Sequence, residues 1–221
     1  MLNKLLDYLY SIWFNFRVFP GTKAWKMPIL ISHRTKCKGL YKGCIDIRGN
    51  VSRFMVSLGI EQGTYGIQAD KRSYMLFEKG GQLCFHGYVN ICERFCLRIF
   101  KNGKTTIGDG SWFNNGLTIS CCNKVDIGEN TLGGWNVVLR DSDGHEIVSI
   151  DNPEVILNPN KPVKIGNHVW IGAEGLVSKG SKIADNCIVA SRSMVNKQFD
   201  KSNCLLAGTP AKIVKENINW K

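Results

Sequence analysis

The sequence predicts an all-β fold in which short strands wind into a solenoid, with one amphipathic helix before it and one large loop extruded from it. Three observations lead to this fold class. Apolar residues recur at every sixth position in the last third of the chain, one segment interrupts that period, and glycine is abundant (23 residues) while proline is scarce (6). So much glycine indicates many tight turns. A chain of 221 residues suits one domain with small additions.

The first element is a helix over residues 2–16. Its apolar side chains recur three and four positions apart, and the chain reaches Pro20 soon afterwards. The apolar positions are Leu2, Leu5, Leu6, Leu9, Ile12, Trp13 and Phe16, and polar residues fall on the other side. Two interpretations remain open: the helix caps the domain, or it lies on the inner face of a membrane, which the basic residues after it favour. It is too polar to span a bilayer.

The last third of the chain carries the clearest repeat. β-Branched aliphatic residues occupy every sixth position: Ile165, Ile171, Val177, Ile183, Val189 and Val195. The residue after each is small, apart from the last: Gly166, Gly172, Ser178, Ala184, Ala190 and Asn196. A period of six fits neither a helix nor an alternating strand. It predicts a short strand, a corner and a repeat, with each aliphatic side chain stacked on the previous one.

The same period occurs earlier with less regularity. Its members are Phe85, Ile91 and Leu97, then Ile107, Phe113 and Ile119, then Ile127, Gly133 and Leu139, with Ile45 and Val51 as candidates for the first turns. We therefore assign residues 41–215 to the solenoid. Residues 1–40 form the N-terminal helix and a basic segment, and residues 216–221 form a C-terminal tail.

One interruption of the period is much longer than the others. Leu139 and Ile165 are separated by far more than one six-residue step, so residues 140–164 are expected to leave the solenoid as a loop. The loop contains His145 together with Asp141, Asp143 and Glu146. An insertion of this kind lies on one face of a solenoid and often forms the binding face.

The charge and the cysteines narrow the class of protein. The net charge is +11, and residues 1–50 carry nine Lys and Arg against Asp7 and Asp46. Such a surface attracts many anionic partners, but no nucleic-acid-binding motif accompanies it, so we expect no nucleic acid. The nine cysteines lack the spacing of a zinc site, and no secretory signal is visible. We expect reduced thiols in the cytoplasm and no metal.

These residues resemble the hexapeptide-repeat acyltransferases. The similarity lies in the run from Ile165 to Val195, in A-G-T-P-A-K-I-V-K at Ala207–Lys215, in N-N-G-L-T-I at Asn114–Ile119 and in D-G-H-E-I at Asp143–Ile147. The most similar branch contains the sugar O-acetyltransferases of bacterial capsule and lipopolysaccharide gene clusters. The resemblance implies a left-handed parallel β-helix of triangular cross-section. It also implies a homotrimer with active sites between neighbouring subunits, and acetyl-CoA as the co-substrate.

Acetyl transfer to a hydroxyl needs a general base, because an alcohol is a poor nucleophile at neutral pH. An imidazole titrates near neutral pH and suits this step. From the residues alone, His145 is equally a base oriented by a neighbouring carboxylate or an exposed loop histidine. The loop histidine of the resembling family matches His145, which implies His145 as the base. We take Asp143 as a second catalytic residue, and which neighbouring carboxylate orients His145 stays open. His168 lies inside a repeat and is interpreted as a surface or subunit-contact residue.

Three other residues are candidates for contacts with the substrates. The resemblance implies that Asn114 contacts the acceptor sugar, and a polar turn residue is the alternative. Trp135 stacks on a sugar ring or fills a gap, and both interpretations remain open. Trp170 matches a tryptophan that the family often places beside the acyl donor, with packing between subunits as the alternative.

Small residues in the repeats give the pantetheine arm of coenzyme A access to the backbone. The resemblance implies that Gly172, Ala173, Ser178, Ala190 and Ser191 bind this cofactor together with Trp170. It also implies Arg192 and Lys212 as partners of the phosphates. A solvated surface charge is the alternative for each basic residue, and it is the interpretation we favour for Lys179.

The predicted function is an acetyl-CoA-dependent O-acetyltransferase that acts on a sugar hydroxyl of a bacterial surface polysaccharide or its precursor. We expect it in the cytoplasm, or at the inner face of the cytoplasmic membrane through residues 2–16. An N-acyltransferase acting on an amino sugar, or a xenobiotic acetyltransferase, is the alternative. A metalloenzyme of this fold is disfavoured because the four histidines are scattered. A scaffold without activity is disfavoured because it has no need of a histidine-bearing loop.

Overall fold

Three sheets form the walls of a triangular prism. The computed structural model describes residues 2–60 and 72–221. Sheet 1 contains β1 (Ile29–Ile31), β4 (Val56–Leu58), β7 (Val89–Ile91), β10 (Ser111–Phe113), β13 (Leu132–Gly133), β16 (Trp170–Ile171), β19 (Ile188–Val189), β22 (Cys204–Gly208) and β23 (Ala211–Glu216). Sheet 2 contains β2 (Thr35–Lys38), β5 (Ser73–Phe77), β8 (Cys96–Ile99), β11 (Thr118–Cys121), β14 (Val138–Arg140), β17 (Leu176–Val177) and β20 (Met194–Val195). Sheet 3 contains β3 (Ile45–Arg48), β6 (Gln82–His86), β9 (Lys104–Ile107), β12 (Lys124–Ile127), β15 (Val163–Ile165), β18 (Lys182–Ile183) and β21 (Gln198–Phe199).

The chain visits the sheets in the order 1, 2, 3, so one strand from each sheet makes one coil. Neighbouring strands in each sheet are parallel, except β23, which forms an antiparallel hairpin with β22. The predicted all-β solenoid is confirmed. We name the edges of the prism corner 1–2, corner 2–3 and corner 3–1 after the sheets that meet there. Coils are numbered from the first coil, which contains β1, β2 and β3.

The period of six has a different meaning from the one expected. Ile171 pairs with Val189 and Val177 pairs with Val195, so residues stack three steps apart. The prediction that each aliphatic residue stacks on the one six positions before it is wrong. Each step of six turns one corner, and three steps complete a coil. The small residues do lie at the corners, where a Cβ on Gly172 would stand 2.6 Å from the backbone nitrogen of Ser191.

Two boundaries differ from the predicted ones. The first coil begins at Ile29, within the segment assigned to the helix and basic region, because β1 and β2 already pair with strands of the second coil. The extruded loop comprises residues 141–162, which is shorter than 140–164. Arg140 still pairs with Ser120, and Val163 and Lys164 already pair with β12.

The interior of the prism is a continuous apolar column. All six aliphatic residues of the C-terminal repeat are buried, as are Phe85, Phe113 and Leu139 of the earlier repeats. The nine cysteines are free thiols, and five of them are buried: Cys44, Cys92, Cys121, Cys187 and Cys204. Burial raises the pKa of the Cys121 thiol to about 12. These cysteines therefore serve as small apolar side chains.

The predicted helix is present as α1 (Leu2–Val18), followed by a short α2 (Gly21–Ala24). α1 lies across the first coil and packs Phe14 and Val18 into the core. Among the residues that the structure describes, neither helix has the length and apolar character needed to cross a membrane.

Candidate active site

A buried carboxylate fixes the start of the extruded loop. Asp141 is fully buried, and its two carboxylate oxygens accept hydrogen bonds from the backbone N–H groups of Cys122 (2.7 Å) and Asn123 (2.6 Å). Its own carbonyl accepts a bond from Lys161 N at 3.0 Å, near the end of the loop. A buried carboxylate needs such donors, because an unpaired one is costly in an apolar interior. Asp141 thus ties both ends of the loop to the fourth coil.

A second set of contacts joins the loop to the sixth coil. Lys179 Nζ lies 2.5 Å from Asp143 Oδ2 and donates a hydrogen bond to Asn158 O at 2.8 Å. Asn158 Nδ2 in turn donates to Asp143 Oδ2 and to His145 O, both at 2.9 Å. The hydrogen bond from Lys179, followed by that from Asn158, holds the pKa of Asp143 below its usual value. Lys179 is therefore an anchor of the loop rather than a solvated charge.

The partners of Asp143 are not those expected of a residue that orients His145. Its carboxylate is occupied by Lys179 and Asn158, and within residues 2–60 and 72–221 neither Asp143 nor Asp141 is hydrogen-bonded to the imidazole of His145. Asp143 instead positions the backbone of His145 through Asn158. It is a positioning residue for the loop, and the imidazole stays available to a ligand.

His145 lines a cavity of about 280 Å³ at the base of the loop. The other lining residues are Cys122, Ser142, Gly144, Glu146, Ile156, Asn158, Pro159 and Asn160. The side of the cavity towards the prism is the corner 2–3 of the fourth and fifth coils. His145 itself is exposed. An imidazole at the edge of such a cavity is able to take a proton from a hydroxyl bound there.

The predicted acceptor residues lie at a different edge of the prism. Asn114 and Trp135 occupy corner 1–2, in the fourth and fifth coils, and neither lines the cavity of His145. The side-chain oxygen of Asn114 is buried and has no hydrogen-bond partner among the described residues. Trp135 is 44% exposed. An unpaired buried oxygen beside an exposed indole suits a ligand that donates a hydrogen bond and offers a ring face.

Most of the residues predicted to bind coenzyme A share that edge. Gly172, Ala173, Ala190 and Ser191 form the same corner 1–2 one and two coils beyond Trp135, as shown by the bonds from Gly172 N to Val189 O and from Arg192 N to Ala173 O. Trp170 is 39% exposed on the adjoining sheet 1. Lys212 is exposed on the hairpin, opposite Ala207.

Two of the predicted cofactor residues do not fit as expected. Ser178 lies at corner 2–3, on the loop side, because β17 belongs to sheet 2, and its hydroxyl is bonded to Val195 O at 3.1 Å. Arg192 is exposed, but its Nε is 2.8 Å from Glu174 Oε2. A phosphate would have to compete with Glu174 for this guanidinium.

His168 has a structural partner that the sequence did not reveal. Its ring stacks on Trp220 with centroids 4.2 Å apart, and Trp220 Nε1 donates to His168 O at 2.9 Å. The pair fastens the C-terminal tail to sheet 1, next to Trp170. His168 is therefore a surface packing residue, in agreement with its interpretation from the sequence.

A lysine cluster near the loop was missed by the sequence analysis. Lys161, Lys164, Lys179 and Lys182 line a cleft of about 430 Å³ with Ser181 and Gln198. Lys164 and Lys182 are register partners in sheet 3. In the sequence this cluster corresponds to two lysine pairs, and the two members of each pair are one full coil apart. The spacing is recognisable only when the repeat is counted in coils. Within the part of the chain that the structure describes, no group of three or more His, Cys, Asp or Glu forms a metal site.

Comparison with known proteins places this geometry in context. A polysialic acid O-acetyltransferase of Neisseria meningitidis is 43% identical over 117 residues, which cover 53% of this chain and 52% of that protein. A polysialic acid O-acetyltransferase of Escherichia coli O1:K1 is 35% identical over 122 residues, covering 54% of this chain and 39% of that protein. The crystal structure of the polySia-specific acetyltransferase NeuO superposes with a TM-score of 0.65 at 23% identity, over 86% of this chain and 74% of that one.

The fold is that of the hexapeptide-repeat acetyltransferases. The predicted resemblance and the left-handed parallel β-helix are thereby confirmed. No family model matches the chain. The chain spans about half the length, or less, of these two polysialic acid O-acetyltransferases.

Proposed function

We propose that the protein is an acetyl-CoA-dependent O-acetyltransferase that acts on a sugar hydroxyl of a bacterial surface polysaccharide or its precursor. The observation that carries this proposal is the presentation of His145 at a cavity, by a loop whose base is tied to the fourth and sixth coils. A β-helix that served only as a scaffold would not need so many contacts to hold one extruded loop in place. The names of the two relatives, both polysialic acid O-acetyltransferases, support the reaction class and a glycan acceptor.

His145 acts as the general base in this proposal. A ring nitrogen of His145 takes the proton of the sugar hydroxyl while the hydroxyl oxygen bonds to the carbonyl carbon of the acetyl group and the bond from that carbon to sulfur breaks. The same nitrogen then returns the proton to the departing sulfur. Acetyl-CoA, when bound, supplies the acetyl group as a reactive thioester. Asp143 and Asn158 hold the backbone of His145 while this occurs, which keeps the base in place without ion-pairing the imidazole.

The charges near His145 suit the donor. Coenzyme A carries phosphates, and the lysine cluster of Lys161, Lys164, Lys179 and Lys182 adjoins the loop. Lys161 and Lys164 are the exposed members of this cluster and are therefore the most accessible to a phosphate group. In this proposal Lys212, Trp170 and the small residues of corner 1–2 of a neighbouring subunit hold the donor from the opposite side.

The separation of the two groups of residues supports a site between subunits. His145 lies at corner 2–3 while Asn114 and Trp135 lie at corner 1–2, so one chain does not bring them together. The loop also exposes apolar side chains that a neighbouring copy would cover: Ile147, Val148, Ile150, Val155, Ile156 and Leu157. On sheet 1 the exposed Trp170 provides an apolar surface that the loop of a neighbouring copy would contact. Because these are two different surfaces, contact between them is head-to-tail, which builds a ring when the rotation between neighbouring copies closes.

We propose that this ring is a homotrimer. In it the loop of one subunit faces corner 1–2 of the next, so that His145 and Asn114 reach the same acceptor. Light scattering in solution tests the assembly: a particle of about three times 24.8 kDa is expected, and a stable monomer at micromolar concentration contradicts it.

A mass-spectrometric acceptor screen tests the reaction. The protein is incubated with acetyl-CoA and purified glycan precursors, both neutral and acidic, and with amino sugars. Addition of one acetyl group that is labile to mild base indicates an ester on oxygen. A base-stable product confined to amino sugars contradicts the proposal and supports N-acylation. No transfer to any acceptor also contradicts it, provided that binding of coenzyme A is seen in the same preparation.

A further inference from the structure

The side of helix α1 that lies against the first coil combines polar and apolar residues, with Ser11 and Asn15 beside Phe14 and Val18. Asn15 is fully buried, and its side-chain amide donates to Ile29 O at 2.7 Å while its oxygen accepts from Ile29 N at 3.1 Å. Ser11 Oγ accepts a hydrogen bond from Ile31 N at 2.9 Å, while its hydroxyl hydrogen is shared between Asp7 O at 2.6 Å and Ile31 O at 3.2 Å. These side chains bond to the free edge of β1, which is the end strand of sheet 1 in the part of the chain that the structure describes. The two polar residues of this inward face therefore cap the β-helix.

A second group of apolar residues of α1 is turned outward. The exposed fractions are 68% for Leu2, 55% for Leu5, 53% for Leu9 and 49% for Trp13. Trp25, just after α2, is 76% exposed and packs its edge on Phe16 with ring centroids 5.0 Å apart. An outward row of leucines ending in two indoles is far from the composition of a solvated helix face.

The charge around this face is strongly positive. Residues 1–50 hold nine Lys and Arg against two acids. Both acids are engaged within the protein: Asp46 lies 2.7 Å from Lys23 Nζ, and Asp7 lies 2.6 Å from His33 Nδ1. Lys4, Arg17 and Lys26 are exposed along or just beyond α1. The surroundings of the apolar row thus attract anions.

We propose that α1 and Trp25 dock this protein on an anionic phospholipid surface. Leu2, Leu5, Leu9 and Trp13 enter the boundary between headgroups and acyl chains, Trp25 sits at the headgroup level, and the basic residues contact lipid phosphates. A second copy of the chain is a poorer occupant of this face, because it would bring a like-charged surface against it.

The docked orientation has a consequence for the reaction site. α1 covers the first coil, and the loop with His145 leaves the fifth coil, four coils higher. At about 4.8 Å between neighbouring strands, the base of the loop stands roughly 20 Å above the first coil. Helix α1, about 10 Å across, lies between that coil and the lipid, so with the prism axis perpendicular to the membrane His145 stands roughly 30 Å above the lipid surface. This height is within reach of a glycan that is itself anchored to the same membrane.

Vesicle co-sedimentation of the full chain tests the proposal. The vesicles contain phosphatidylcholine alone or phosphatidylcholine with one quarter phosphatidylglycerol. The double substitution Leu5→Glu and Leu9→Glu places charge on the exposed apolar row. Val214→Glu is the matched control, since Val214 is 58% exposed on β23 at the other end of the prism.

The wild-type chain is expected to bind the anionic vesicles, less so at high salt, and the double variant is expected to bind at least about tenfold more weakly. Val214→Glu is expected to bind as the wild type does. Absence of wild-type binding, or equal binding by the double variant, overturns the proposal. A change in particle mass of the double variant without a change in vesicle binding also overturns it, and assigns the face to a second copy.

If the double variant does not fold, Trp25→Ser replaces it. Loss of vesicle binding by this variant is the expected result, and unchanged binding overturns the proposal.

Discussion

The ammonium group of Lys179 lies 2.5 Å from the carboxylate of Asp143 and thereby joins the sixth coil to the loop that carries His145. The same ammonium group bonds to Asn158 O, so a single side chain holds both limbs of the loop. The side chain of Lys179 is only 18% exposed, whereas that of Asp143 is 40% exposed. The pair therefore contributes little to global stability, about 0–1 kcal/mol, and its effect is on the position of the loop.

Lys179→Met is expected to lower kcat by about tenfold or more, because a small displacement of a catalytic group is costly in rate. The midpoint of thermal unfolding should change little, and limited proteolysis within residues 141–162 should become faster. Lys23→Met is the control, since it removes an ion pair of the same kind, with Asp46 at 2.7 Å, far from the loop. Equal kinetic effects of the two variants would show that the loop anchor has no special role.

Asn15→Ala is expected to lower the free energy of unfolding by about 1–3 kcal/mol, because it leaves the N–H and C=O of Ile29 unsatisfied in a buried place. Denaturant unfolding monitored by circular dichroism measures the change. Asn3→Ala, an exposed position of the same helix, is the control and should change stability by less than about 0.5 kcal/mol. If the two substitutions have the same effect, the amide of Asn15 does not cap β1.

His145→Ala is expected to lower kcat by about 10²–10⁴-fold, the usual contribution of a positioned base. KM for acetyl-CoA should change little, because the proposed donor contacts come from other residues. Steady-state kinetics with an identified acceptor measures both. Asp151→Ala, an exposed residue in the distal part of the same loop, is the control and should leave kcat close to that of the wild type. His168 is unsuitable as a control because it stacks on Trp220. Retention of near-normal kcat by His145→Ala would remove His145 from the mechanism.

Alkylation of the folded protein with iodoacetamide at pH 8 is expected to spare Cys121 and Cys92. Only the thiolate reacts, and burial raises the pKa of these thiols to about 12 and about 11. Because a raised pKa favours the neutral thiol, reactivity should remain low as the pH is increased to 9. Peptide mapping by mass spectrometry follows each cysteine, and unfolded protein serves as the reference. Rapid labelling of Cys121 in the folded state would contradict the buried, reduced core.

The sequence predicted the repeat well because burial imposed it. Ile171, Val189 and their equivalents must all face one narrow interior, so their spacing is visible in a single chain. The orientation of α1 was not predictable in the same way. Hydrophobic periodicity assumes that the apolar side faces the protein, but the edge of β1 needed the hydrogen bonds of Ser11 and Asn15 more than another apolar layer.

The arrangement of the site was only partly accessible from the sequence. His145 and Asn114 were identified from motifs, but their positions at different corners depend on three strands making one coil. The sequence alone does not show which residues share a corner or a coil. For this reason Ser178 was grouped with Gly172, and the lysine pairs of sheet 3 were overlooked. A local contact such as Lys179 with Asp143 joins residues from different coils, and no spacing in the sequence indicates it.

Mixing two inactive variants measures most directly whether His145 and Asn114 act together from neighbouring chains. His145→Ala and Asn114→Ala are each purified, then co-refolded in equal amounts and assayed for acetyl transfer. In random trimers about one site in four combines an intact loop with an intact corner 1–2, so we predict recovery of roughly a quarter of wild-type activity. Activity of the mixture no greater than that of the separate variants, or full activity of Asn114→Ala alone, would contradict the account.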